Sequence, residues 1–150
     1  MSVNTELAGT SYTLETPFEV SREAIAAFAR ATGATHPAHV DVEAAKALGY
    51  TDVVAPATFA VVPAQRTEGL YISRPDAGID FSRVVHGSEQ FTYTRPIVAG
   101  DVLAATCHVD GLREAGGHAM ITTRTELSDA ASGDPVVSVV STIVVRGDAA

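Results

Sequence analysis

Scarcity marks this chain before any motif does. It has one cysteine, Cys107, and no tryptophan. A lone thiol forms no internal disulfide and supplies no cysteine-based metal site, so the sequence fits a reducing, cytoplasmic setting. Lys46 is the only lysine, and 10 basic side chains stand against 18 acidic ones for a net charge of −8. Nucleic acid recognition needs clustered Lys and Arg to neutralise phosphates, and anionic lipid asks for the same, so neither a nucleic acid nor a membrane is an expected partner. No apolar run approaches the ~20 residues that span a bilayer. The opening MSVNTELAGT has neither the basic start nor the apolar stretch of a targeting segment.

Small apolar residues are what the chain has in quantity. Hydrophobic residues make up 46% of its 150 positions, 25 of them Ala and 19 of them Val. That suffices for one core, is too short for two ordinary domains, and excludes wholesale disorder. The first half reads as helical. In Ser21–Arg30 the serine is an N-cap, Ile25, Phe28 and Ala29 fall on one face, and Gly33 is a stop. A short helix over 41–48 is capped by Asp41 and ended by Gly49. A third helix is predicted from Pro56, suited to a first helical position, to about Glu68. Its interior is apolar nearly all round, as for a helix enclosed on most sides, and Pro63 should kink or shorten it.

Beyond Gly78 the rhythm turns to period two. Strands are expected at Phe91–Thr94, Val102–Val109, Met120–Leu127 and Pro135–Val145. The near-continuous valine of the last implies burial on both faces or pairing at an interface. Turn chemistry separates them at Val98–Asp101, Ala115–Gly117 and Asp129–Asp134. Helices followed by strands without β-α-β alternation argue an α+β class with an antiparallel sheet. The first ten residues and the last four, from Gly147, are expected to fray.

Three histidines invite chemistry: His36 and His39 in GATHPAHVD, and His86 in VVHGSEQ. A His-Pro-x-His loop has no third ligand at matching spacing, so no metal is expected. The stretch Gly33-Ala34-Thr35-His36-Pro37-Ala38-His39 resembles the Gly-Asp-x-Asn-Pro-aliphatic-His signature of the MaoC-like dehydratases. Ala34 stands at the aspartate position and His36 at the asparagine position. Ala44–Tyr50, Val54–Phe59, Val85–Gln90 and Phe91–Asp101 extend the likeness, which is closest to the HadA-like branch and covers roughly residues 15–146.

The resemblance implies one hot-dog domain, an antiparallel sheet around a long helix, and reversible dehydration of an (R)-3-hydroxyacyl thioester. It implies His39 and His36 as candidate catalytic residues. Ala57, Thr58 and Phe59 at the helix start, with His86 and Gly87, are the candidate substrate contacts. No cofactor is implied. In such chemistry a His–Asp pair handles proton and water while helix N-terminal amides hold the oxyanion. With Ala34 in place of the acid, the implied role is a subunit inert by itself. It shapes the acyl channel for a MaoC-like, HadB-like catalytic partner, the ligand being a thioester of coenzyme A or acyl carrier protein. A self-sufficient homodimer using His39 and a non-enzymatic acyl- or lipid-binding module are the alternatives. Asp41 is expected to cap a helix, while Glu89 and Asp101 have no assigned place. Arg66, Arg74, Arg83 and Arg95 are candidates for phosphate contact, with surface salt bridges as the plainer reading.

Overall fold

Capping chemistry sets the helices. In the computed structural model, which describes residues 3–147, α1 spans Arg22–Thr32 and begins where Ser21 Oγ accepts from the Ala24 amide at 3.0 Å. It ends at Gly33, whose φ of 70° lies in the left-handed region where a Cβ is unwelcome. Ile25 and Ala29 are buried, and Phe28 packs beside them. Helix α2 spans Val42–Ala47, with the Asp41 carboxylate accepting from the Glu43 amide.

The third helix departs from its predicted bounds. Pro56–Ala60 forms tight turns in which the Phe59, Val61 and Val62 amides each reach back three residues, and α3 runs Val61–Ile72. Pro63 therefore sits in the first helical turn, where its missing amide hydrogen costs no bond, and it neither kinks nor ends the helix. Nor is α3 enclosed all round. Ala64, Thr67, Glu68 and Tyr71 form a buried stripe, while Val62, Gln65, Arg66 and Leu70 are exposed.

Strands β1 (Ser11–Thr13), β2 (Phe18–Glu19), β3 (Val84–Tyr93), β4 (Val102–Ala115), β5 (His118–Asp129) and β6 (Pro135–Val145) form one sheet. Its order is β1-β4-β5-β6-β3, with β2 also on β4, and every pairing is antiparallel. β1 and β2, two or three residues each, are too short to show a period and were not predicted. β6 keeps its predicted bounds but alternates: Val137, Val139, Ser141, Ile143 and Val145 face the core, and the other face is half-covered. Both its edges are paired, so the valine-rich strand is interior and β3 is an edge strand of the sheet. In β3 the register slips between His86 and Ser88. There a Cβ on Gly87 would stand 3.1 Å from the Thr142 carbonyl oxygen, so glycine fits the close approach of the two backbones.

Helix α3 lies against β1, β4 and β5, giving the predicted α+β, antiparallel hot-dog fold. The core divides along it. Phe18, Phe28 and Phe59 meet edge to face around one end, while Tyr71, Val109, Ile121 and Ile143 fill the other. At the N-terminus, Val3 is buried, the Asn4 amide donates to the Ala77 carbonyl and Thr5–Leu7 forms a 3-10 turn. Contact with the loop after α3 thus orders residues expected to fray; Met1, Ser2 and residues 148–150 lie outside the described residues. Among the described residues no helix is long and apolar enough to cross a membrane.

Candidate functional site

Backbone pairing assembles the first histidine site. Residues 53–55 run beside 97–99, with the Ala55 amide donating to Ile97 and the Ala99 amide to Val53. The Val54 amide then donates to the Ala38 carbonyl at 3.0 Å, pulling the Pro37–His39 turn onto this ribbon. His39 Nδ1 lies 2.7 Å from the Val54 carbonyl oxygen. A carbonyl only accepts, so Nδ1 carries the hydrogen and Nε2 keeps the lone pair of the neutral ring. His36 does different work. Its Nδ1 accepts from the Ala38 amide at 3.1 Å, capping the turn, and its ring meets His39 edge to face with centroids 6.1 Å apart.

These two histidines, with Ala57, Tyr50, Tyr93 and Ile97, line a cavity of about 350 Å³. Among its described lining residues there is no aspartate or glutamate. Ala34, at the aspartate position, is half-buried in a neighbouring groove with Arg30, Gly33 and Val40. Asp41 is occupied as a cap. Asp101 accepts from Arg95 at 2.8 and 3.1 Å and from the Val98 amide, which makes it a turn clamp.

The start of α3 supplies donors. The amides of Ala57 and Thr58 donate to no backbone or side-chain group among the described residues, whereas the Phe59 amide is bonded to Pro56. Two free amides ahead of a helix are a ready seat for developing negative charge. Tyr93, read from sequence as sheet packing, holds them in place. Its hydroxyl donates to the Ala57 carbonyl at 2.7 Å, and burial pushes its pKa up against a smaller opposing effect of the Ala60 amide. Only its position before Arg95-Pro96 hinted at this, since a strand tyrosine is usually packing.

Other predicted residues lie elsewhere. The Phe59 side chain, 1% exposed, is core, and the Thr58 side chain is exposed outside the pocket. His86 lines a second cavity, of about 390 Å³, beside the C-terminal half of α3. Gly87 is the packing glycine of the β3 irregularity. Of the arginines, Arg74 pairs with Asp76, Arg95 with Asp101, Arg83 donates to the Gly147 carbonyl, and Arg66 lies over the Phe18 ring. Cys107 is buried, which pushes its thiol up to about 11, so it is an inert core residue. Among the described residues no group of three or more His, Cys, Asp or Glu is placed to hold a metal ion.

The model of the FAS1-like dehydratase domain region matches residues 6–139. The chain is similar to a UPF0336 protein of Clavibacter michiganensis subsp. michiganensis, 53% identical over 148 residues and covering 99% of both chains. Among solved structures it is similar to the C-terminally truncated HadBC complex, a 3R-hydroxyacyl-ACP dehydratase from Mycobacterium tuberculosis. That match has a TM-score of 0.85 at 30% identity and covers 95% of this chain and 99% of the other. A MaoC-like dehydratase matches with a TM-score of 0.81 at 32% identity, over 94% of this chain and 42% of that one. By sequence and by architecture, the chain belongs to the FAS1-like dehydratase-region family of hot-dog proteins.

Proposed function

We propose that this chain is a HadA-like subunit of an (R)-3-hydroxyacyl-thioester dehydratase, inert alone and completed by a MaoC-like catalytic chain. One observation carries the reading: the pocket that holds His39 is lined by two imidazoles and by Ala57 with its free amide, but by no carboxylate among its described residues. Dehydration removes a proton beside the thioester carbonyl and expels the 3-hydroxyl as water. Each step asks for a proton carrier whose charge and orientation are held by a partner. The Val54 carbonyl orients the His39 ring but contributes no full negative charge to stabilise an imidazolium, and no carboxylate among the described lining residues takes up that role.

Two further features support a partner chain. Among the described residues the outer edge of β3 is unpaired in the sheet, and an open edge is a template for another strand. Beside it lie exposed Phe81 and Val85, with Val62 and Leu70 exposed on α3. The similar HadBC structure is itself a complex of two chains.

The test is turnover of crotonyl-CoA and of longer 2-enoyl thioesters by the purified chain, alone and co-expressed with a MaoC-like chain carrying an intact Gly-Asp-x-Asn-Pro-x-His motif. Negligible hydration alone and restored hydration in the pair is the expected result. Ordinary turnover by the chain alone overturns it. A second reading, a self-sufficient homodimer, is favoured by the single fact that His39 Nε2 is left as a proton acceptor. It predicts activity alone that vanishes in His39→Ala. Acyl ligand binding without turnover in either setting supports a non-enzymatic binding module instead.

A further inference from the structure

The second cavity contains what the first one lacks. His86 Nδ1 stands 3.6 Å from Glu89 Oε1, and its Nε2 lies 3.4 Å from the Gln65 amide nitrogen on α3. Both contacts agree on one tautomer. The carboxylate attracts a hydrogen on Nδ1, which leaves Nε2 to accept from the Gln65 amide. Glu89 is fixed in turn by Ser141 Oγ, which donates to Oε1 at 2.9 Å, while Oε2 is buried with no partner. Glu68, 3% exposed, faces the same cavity and accepts from Thr123 Oγ1 at 2.5 Å. Burial raises the Glu68 pKa against the weaker effects of Thr123 and His86.

Around these groups the walls are apolar: Gly69, Ile72, Val84 and Phe81, whose ring is 72% exposed at the rim. Apolar walls with a few converging polar groups, in a volume within the ~300–1,000 Å³ of small-ligand sites, are the signature of a binding pocket. The charge balance narrows the ligand. No Lys or Arg lines the cavity, and two carboxyl groups adjoin it, so a phosphate or a free carboxylate is repelled. What fits is an aliphatic chain carrying a neutral oxygen that both accepts and donates.

We propose that this cavity is a binding site, separate from the His39 pocket, for a hydroxyl-bearing aliphatic chain. His86 Nε2 accepts from the ligand hydroxyl in place of the Gln65 amide, the released amide donates to the hydroxyl oxygen, and Glu89 is a positioning residue that holds the His86 ring. The site rests on the acyl-thioester reading above only for the source of the chain. It gives the subunit a way to favour a hydroxylated acyl chain over a saturated one of equal length.

The test is calorimetric titration of the full chain with the N-acetylcysteamine thioesters of (R)-3-hydroxyoctanoate and octanoate, with the histidine ring nitrogens followed by NMR. The hydroxylated ligand is expected to bind on the order of tenfold more tightly, the effect of one satisfied hydrogen bond, and to shift His86 more than His39. His86→Phe should bring the two affinities within about twofold of each other. Glu89→Gln, which keeps an acceptor for Ser141, should give an intermediate preference and alter the His86 titration curve. Equal affinities in the natural chain overturn the proposal, as do His39 shifts without His86 shifts. Either failure leaves the dehydratase-subunit reading standing, because that depends on turnover with the partner and not on this preference.

Discussion

The two ends of α3 present opposite solutions to holding a histidine. At the N-terminal end, His39 is oriented by a backbone carbonyl, that of Val54. At the C-terminal end, His86 is oriented by a carboxylate, and the layer beneath holds Glu68, Thr123, Thr125 and Ser141, all buried. An uncharged partner fixes geometry alone, whereas a charged one also stabilises the protonated ring. The end that holds His39 thus has shape without charge, and charge is found at the end that holds His86.

Several measurements break or sharpen this contrast. The largest expected effect is catalytic: pairing with a MaoC-like chain should raise hydration by about a thousandfold or more over this chain alone, the scale on which interdependent catalytic groups act. In that pair His39→Ala should matter little, and a collapse of activity would return the chemistry to this end. Next comes Phe59→Ala, expected to cost about 3–5 kcal/mol in chemical denaturation, because the ring is core to both Phe18 and Phe28. A change in ligand binding without that loss of stability would restore Phe59 as a contact residue.

Smaller effects probe the polar end. A raised carboxyl pKa means the folded state holds its proton more tightly than the unfolded chain. The stability tied to Glu68 is therefore complete below its ordinary value of 4.5 and is lost as pH rises through the raised one. Glu68→Gln should remove that decline and be the more stable chain in denaturation at about pH 8, with little difference in acid. Tyr71→Phe is the mildest. The Tyr71 hydroxyl is buried without a partner, and burial pushes its pKa up to about 12, so its removal should stabilise by up to about 1 kcal/mol in thermal melts.

Local chemistry was legible in the sequence wherever a contact spans few residues. Ser21, Gly33 and Asp41 announce the ends of α1 and the start of α2, the period-two stretches announce β4 and β5, and the valine run announces β6. The start of α3 misled because Pro56 opens a run of tight turns that lead into the helix, and Pro63 occupies a turn where proline is harmless. The helix's exposed face misled because an apolar sequence cannot say which side a single chain leaves uncovered. At the site, Ala34 and the amides of Ala57 and Thr58 could be named in advance from motif and helix-start logic. The tie between His39 and Val54 could not, since it depends on a ribbon joining residues 53–55 to 97–99. Nor could the bond between Glu89 and Ser141, which lie on strands 52 residues apart.

The irregularity at Gly87 has a consequence for strand parity. In a regular strand, positions 86 and 89 project to opposite faces. The extra residue instead sets His86 opposite Ile143 and Glu89 opposite Ser141, two partners that share one face of β6. Were the strand to run through Gly87 without that slip, the imidazole would turn away from its carboxylate and toward the opposite face of the sheet.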